Sequence, residues 1–373
     1  MLGRGGLGAD VVSTGELTIG RFSRWRRHMM ALPAPATDPL AYLHALGEIA
    51  SDYHVILPTH EQAWLIAAGL ELLGTRVPIA VADLAAFDQV QSKIAFARLL
   101  DDLGLPQPVW WLPDSPPTVV PPTFWVKTEF GTAGRGVRRA HSPEQGRVLV
   151  RELGRDGSAV MCQAPAPGEY GQVQALFDHG RMFAAHTCVQ TGNGIGGSAA
   201  SRESVDHPLA RDAARTIGTA LNWHGGLTLD YFHQDGYPHF IECNPRTVEP
   251  GNAAGVNLPA LTIALTLGAD LPVDCVTGIP GVRTHSSLAL ALGAAATSYR
   301  WGIVAALSSQ GGPVVGSEVL TPIREDPLSA IPMAVTVSKT LVRPRSAETI
   351  AATAVDQYAI TPALIDRVRE ATS

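Results

Sequence analysis

Two apolar, alternating segments joined by Asp235 and Gly236 constrain this chain more than any other feature of its 373 residues. In the first, Leu227, Leu229 and Tyr231 alternate with Thr228, Asp230 and Phe232, the period-2 pattern of a strand. The second, His239 to Asn244, sets Glu242 and Asn244 two residues apart and hence on one face. Asp235 and Gly236 supply the turn between them. With a hairpin loop of odd length, Asp230 falls on that same face. Three hard oxygen donors on one sheet surface suit Mg²⁺, which takes one or two protein carboxylates and completes its shell with phosphates. Arg246 follows as a fixed cation for an anionic group beside the metal. Cys243 alternates with Glu242 and Asn244 and is expected to point away from them. An ordinary hairpin with one polar face would alternate in the same way. The four polar residues together outweigh that reading, because the rest of the chain supplies a matching phosphate site.

The bulk numbers set limits. A hydrophobic content of 46% with 17% charged residues describes a folded chain, long enough for two or three domains. A net charge of −6 leaves no electrostatic footprint for nucleic acid. Cys162, Cys188, Cys243 and Cys275 are scattered without Cys-x-x-Cys spacing, as expected of buried thiols in a reducing compartment. The Gly-rich N-terminus has no apolar h-region, and Arg26–Arg27 is not followed by an apolar run, so no signal peptide is expected. The uncharged stretch 250–269 contains Asn252, Asn257, Pro259 and several glycines, which makes it a poor membrane span. A cytoplasmic location, with no membrane and no nucleic-acid partner, is expected.

Along the chain, residues 1–87 read as a small α/β unit. A helix opens at Asp38 and Pro39 and runs to about Ile49, and a short strand covers 53–57. Another helix covers 60–73, ending at Gly74, with a second strand at 77–81. Such alternation implies a parallel sheet. A helix from Asp88 through Lys93 to Leu103 comes next. A Pro-rich connection then leads to a strand over 124–128, a glycine loop at 131–136, a helix near 143–153 and a strand at 159–163. Residues 170–190 read as a hairpin turning at Asp178–Gly180, followed by the loop Gly192–Ser198 and a helix to about Leu221. Beyond 275, helices are expected near 285–295, 300–308, 326–341 and 347–371, as a mostly helical C-terminal lobe.

Lys127 ends a strand and precedes Gly131, Gly134 and Gly136. Glycines let backbone N–H groups approach an anion, and the lysine adds a point charge. The order fits neither a P-loop nor a Rossmann fingerprint. Taken in order, Lys93, Lys127, the glycine loop, Gln163 to Glu169 and the Asp230…Glu242-Cys243-Asn244-Pro245-Arg246 segment resemble the ATP-grasp superfamily over about residues 35 to 260. The carboxylate–amine ligases, the carbamoyl-phosphate synthetase large subunit and biotin carboxylase are the members it looks most like.

The resemblance implies an α/β (mixed α+β) ATP-grasp domain at 88–275, with a lid at about 122–165. A small, abbreviated Rossmann-like unit at 1–87 would precede it, and the lobe at 276–373 would follow. It implies that Lys93 and Lys127 touch the ATP phosphates under a lid made by Gly131, Thr132, Ala133, Gly134 and Gly136. Gln163 and Ala164 would form the hinge beside adenine, and Glu169 would sit near the ribose. Asp230, Glu242 and Asn244 would hold one or two Mg²⁺ ions, with Mn²⁺ as a substitute. Arg246 would stabilise an acyl phosphate, and Arg202 would bind the substrate carboxylate. The implied activity is an ADP-forming ligase acting on a small-molecule carboxylate and amine, with a homodimer allowed. Two alternatives stand beside it: a bicarbonate-dependent carboxylase, although no Ala-Met-Lys-Met-type biotin segment is present, and an ATP-binding sensor without turnover.

Overall fold

A computed structural model of the chain describes all residues except 1, 4–5, 14–17, 75–77, 133, 249–250, 309–315, 320–321, 357–358 and 373, together with the side chains of 298, 299, 308, 354 and 355. The N-terminal strands β1 (Ala9–Val12) and β2 (Arg26–Met30) pair in parallel. Asp38 then caps α1 (Pro39–Ala50) by accepting the Ala41 N–H, and Pro39 sits where its missing N–H costs nothing. After α2 (Gln62–Ala68) the expectation fails in part. Residues 53–57 form no strand; 78–81 form none either, and 77 lies outside the described residues. The two stretches meet through one long bond, Ile56 N–H to the Pro78 carbonyl at 3.4 Å. One contact is not a ladder, so the parallel sheet expected there is absent among the described residues.

The helix expected from Asp88 to Leu103 is two helices, α3 (Leu84–Gln91) and α4 (Lys93–Asp102). Ser92 divides them: its backbone is extended, and its hydroxyl accepts the Ala95 N–H as a cap inside what reads as one periodic run. The break puts Lys93 in the first turn of a helix.

Two sheets follow. The smaller holds β3 (Trp110–Trp111), β4 (Phe124–Thr128), β5 (Val137–Ala140) and, after α5 (Pro143–Leu153), β6 (Val160–Gln163), in the order β3-β6-β4-β5. Leu149, Val150 and Leu153 of α5 pack on Trp111, Phe124 and Val126. The larger sheet is built from β7 (Glu169–Asp178), β8 (Arg181–Asn193) and β9 (Ala199–Ser204), then, after α6 (Pro208–Ala220), β10 (Gly225–Gln234) and β11 (Tyr237–Asn244). The chain continues through α7 (Leu258–Thr266), β12 (Val276–Thr277), β13 (Arg283–His285), α8 (Ser287–Ser308), β14 (Ser317–Glu318), α9 (Ala330–Val342), α10 (Ser346–Asp356) and α11 (Pro362–Thr372). Its sheet order is β11-β10-β7-β8-β9-β13-β14, with β12 added beside β8. The hairpin expected to turn at Asp178–Gly180 forms as β7 and β8. Beyond residue 275, α8 is continuous where two helices are expected, and the run 347–371 is divided before Pro362.

The main core joins the N-terminal helices to one face of the large sheet. Leu43, Trp64, Leu65 and Phe87 pack with Val173, Phe177, Leu227, Leu229, Tyr231 and Cys243, and with Ile365 and Val368 of α11. Burying Leu227, Leu229 and Tyr231 on this face turns the alternate residues of β10 toward the other side. Cys243, paired with Leu229, is buried in the core as expected. Among the described residues no helix is long and apolar enough to cross a membrane.

Candidate functional site

Gln234 pairs with Tyr237, so the loop between β10 and β11 contains only Asp235 and Gly236, both at positive φ (54° and 77°). Positive φ at both central residues is the requirement of a type I′ turn. A two-residue loop alone would set Asp230 opposite Ile241 and turn it away from Glu242. The register instead shifts between Asp230 and Tyr231: Tyr231 pairs with Phe240, and Asp230 with Glu242. Ile241 is the extra residue of a β-bulge. The odd loop length expected from sequence is thus corrected, while the face it implied is restored by the bulge. Thr228 pairs with Asn244, so Asp230, Glu242 and Asn244 share a face.

That face is fixed by polar neighbours. Gln172 of β7 lies opposite Asp230, and its Nε2 donates to Asp230 Oδ1 at 2.9 Å. Asn244 Nδ2 donates to Asp230 Oδ2 at 3.1 Å. Gln172 Nε2 also reaches the Tyr170 hydroxyl at 3.0 Å, and its Oε1 accepts from Arg202 Nε at 3.1 Å. The turn that carries Arg246 is held as well. Its carbonyl accepts from Thr228 Oγ1 at 2.6 Å, and its N–H donates to the Asn244 carbonyl at 2.7 Å. Burial and then the Glu242 charge raise the Asp230 carboxyl to about 7, against the hydrogen bonds of Gln172 and Tyr170 and the Arg246 charge. Two crowded carboxylates with a third oxygen donor beside them, and no thiol or imidazole in the set, fit a hard divalent cation such as Mg²⁺.

Across the cleft, the small sheet and the first turn of α4 present one lysine each. Lys127 Nζ donates to Gln163 Oε1 at 2.6 Å, and burial lowers its ammonium to about 8, with Glu242 opposing the shift and Lys93 adding to it. Lys93 Nζ donates to the Gly131 carbonyl at 2.9 Å. The loop between β4 and β5 is tied back by Thr128 N–H to the Gly136 carbonyl at 2.9 Å, with Gly134 and Gly136 at φ of 73° and 72°. Ala133 lies outside the described residues. Lys93, Gly131, Thr132, Glu242, Asn244 and Arg246 line one cavity, joined by Glu61 of the N-terminal unit.

The remaining expected site residues have the following surroundings. Gln163 is buried with its side chain committed to Lys127, and the Ala164 N–H donates to the Val109 carbonyl at 2.8 Å. Glu169 does not line the Lys93–Glu242 cavity. It lines a second, shallow depression with Tyr170, Gln190, Gly192, Asn193 and Phe232, beside the expected acceptor loop. Arg202 reaches the carboxylate face through Gln172. The His60 imidazole is lowered to about 4 by burial and by the Arg246 charge. Gln172, Tyr170 and Glu61 were not anticipated. The signal for the first two was present: Tyr170, Gln172 and Gln174 recur at every second position of an otherwise apolar strand.

No family model matches the chain. Acetyl-CoA carboxylase 2 of Oryza sativa subsp. japonica is 28% identical over 167 residues, which cover 39% of this chain and 7% of that protein. The chain therefore aligns with under a tenth of the length of this relative. Among solved structures, a biotin carboxylase–ATP complex from Campylobacter jejuni superposes with a TM-score of 0.59 at 14% identity, covering 73% of this chain and 68% of that one. An L-amino acid ligase from Bacillus licheniformis gives a TM-score of 0.53 at 16% identity, covering 71% and 69%. The chain has the ATP-grasp fold.

Proposed function

We propose that this protein is an ADP-forming ligase that activates a small-molecule carboxylate with ATP and joins it to an amine. The observation that carries this reading is the shared face of Asp230, Glu242 and Asn244, set across the cleft from Lys93 and Lys127. Asp230, Glu242 and Asn244 would hold Mg²⁺, which when bound supplies charge neutralisation on the phosphates. Lys127, buried and free of any carboxylate hydrogen bond, offers its charge to a phosphate oxygen, and Lys93 does so beside the glycine loop. Arg246 faces the carboxylate pair and would neutralise charge where the substrate carboxylate approaches.

In the proposed reaction a substrate carboxylate oxygen bonds to the γ-phosphorus as the bond to ADP breaks. The amine nitrogen then bonds to the acyl carbon as the acyl carbon–oxygen bond to phosphate breaks, and the ammonium proton leaves to solvent. The glycine loop, with Gly131, Thr132, Gly134 and Gly136, would exclude water from the acyl phosphate. Arg202, fixed through Gln172, would hold the substrate carboxylate, and Glu169 and the Gly192–Ser198 loop would face the acceptor rather than the ribose.

A screen of carboxylate and amine pairs for Mg²⁺-ATP-dependent ADP release tests the reading, with mass spectrometry on the products. The expected result is ADP release that needs both partners and a condensed product. ATP binding without ADP release for any pair would replace the ligase by a sensor. A second reading, carboxylation, is favoured by the carboxylase sequence match. ADP release that depends on bicarbonate and not on an amine would select it.

A further inference from the structure

At the opposite end of β7 and β10 from Gln172 and Asp230 lies a second group of ligating side chains. Asp178 ends β7, His179 sits in the following turn at a φ of 44°, and His224 precedes β10. One ring nitrogen of each histidine and one Asp178 oxygen all lie within 4.8 Å of one another. The imidazoles stack, with centroids 4.3 Å apart and planes 20° apart. His224 Nδ1 is shut off from solvent, makes no hydrogen bond, and stands 3.7 Å from Asp178 Oδ1. The other oxygen of Asp178 turns to Arg181 at 3.8 Å. Asp83 adds its charge near His224.

We propose that Asp178, His179 and His224 form a binding site for a borderline divalent metal such as Zn²⁺, separate from the carboxylate face. Two imidazoles and one carboxylate are the donor set of such ions, and Mg²⁺ does not choose it. Ligand nitrogens and oxygens around tetrahedral Zn²⁺ stand about 3.3 Å apart, from bonds of roughly 2.0–2.1 Å. The group therefore has to draw in by about an ångström or more at its widest, which a rotation of the exposed His179 on its turn can supply. Burial lowers the affinity of His224 for a proton, which keeps its ring in the neutral form that a metal takes.

The backbone around the site is already joined. Gly180 N–H donates to the Trp223 carbonyl at 2.8 Å, so the β7–β8 turn and the segment before β10 are held together without the metal. A Cβ on Gly225 would stand 2.5 Å from the Ala80 carbonyl oxygen, so the N-terminal unit abuts this corner. A metal here would clamp the corner about 20 Å along the chain from Asp230, at roughly 3.4 Å per residue.

The test is calorimetric titration of Zn²⁺ into untagged, chelator-treated full-length protein in excess Mg²⁺, with Co²⁺ absorption as a readout of coordination. One equivalent of Zn²⁺ is expected, weakened more than about tenfold by His224→Ala and by His179→Asn and unchanged by Glu242→Gln. His179→Asn tolerates the positive φ of its turn, so it reports on binding even where His224→Ala unfolds the protein. Absence of stoichiometric binding, or a loss of binding with Glu242→Gln and none with His179→Asn, would overturn the site.

Discussion

The large and small sheets meet the same cleft with opposite constructions. On the large sheet, side chains of neighbouring strands hold Asp230, through Gln172 and Asn244, and the Arg246 turn, through Thr228. On the small sheet the cation is the buried Lys127, with the buried Lys93 of α4 beside it, and the β4–β5 loop gets its shape from glycines in left-handed backbone conformations. The first arrangement fixes negative charge by hydrogen bonding, which suits a metal of strict geometry. The second leaves backbone N–H groups open to an anion, which suits a phosphate chain.

The contrast is broken most severely by removing what packs behind the large sheet. Trp223 is almost fully buried, packs against Phe87 of α3 with ring centroids 5.1 Å apart and planes tilted by 51°, and donates to the Gly226 carbonyl at 3.1 Å. Trp223→Ala is expected to cost about 3–5 kcal/mol in urea unfolding. A loss under about 1 kcal/mol would mean that this face does not depend on the N-terminal helices.

Next in size is the charge on the large sheet. Glu242→Gln keeps the shape and removes one carboxylate from the proposed metal set. The expectation is a fall of about 10²–10³-fold in Mg²⁺-dependent ADP release, read on the substrate pair found by screening. Unchanged turnover would remove Glu242 from that set.

A smaller effect separates two glycines of the small sheet. A Cβ at Gly136 would stand 2.1 Å from Thr128 Oγ1, whereas at Gly134 it would meet open space, and both have positive φ. Gly134→Ala therefore bears only the backbone cost, about 1–2 kcal/mol, and Gly136→Ala exceeds it. The predicted order, Gly136→Ala above Gly134→Ala, is checked by the rise in KM for ATP and by hydrogen exchange in the loop.

The smallest effect concerns protons. Burial lowers Lys127 to about 8, so in the free protein its charge is lost as pH rises through that value. Bound phosphate favours the charged form, so nucleotide binding takes up a proton above pH 8 and weakens there, by less than about tenfold per pH unit. Calorimetry of ATP binding in buffers of different ionisation enthalpy measures this. Proton release in place of uptake would show that Lys127 does not meet the phosphates.

The legibility of the two sheets in sequence follows from the same difference. The β10–β11 hairpin could be read because its alternation and its Asp235–Gly236 turn are local signals. Its bulge could not, because Ile241 has no residue type that marks it, and the shift is chosen by pairing with Phe240 and Glu242 together. Lys127 and its glycines were legible by order, but the commitment of Gln163 to Lys127 depends on β4 and β6 being neighbours. The 53–57 run was misread for a related reason. It is apolar enough for a strand, but a strand also needs a partner, and only Ile56 finds a bond to Pro78. Ser92 shows the reverse: helical periodicity on both sides conceals the break that places Lys93.

Loss of Ile241 would remove the bulge and leave Asp230 opposite Glu242 in a regular two-residue hairpin, with Phe240 and Cys243 still on the core face. Loss of Phe240 as well would set Glu242 opposite Tyr231 and turn it into the core. The hairpin therefore carries one spare residue: a deletion of Ile241 alone should keep the carboxylate pair, and a deletion one residue longer should lose it.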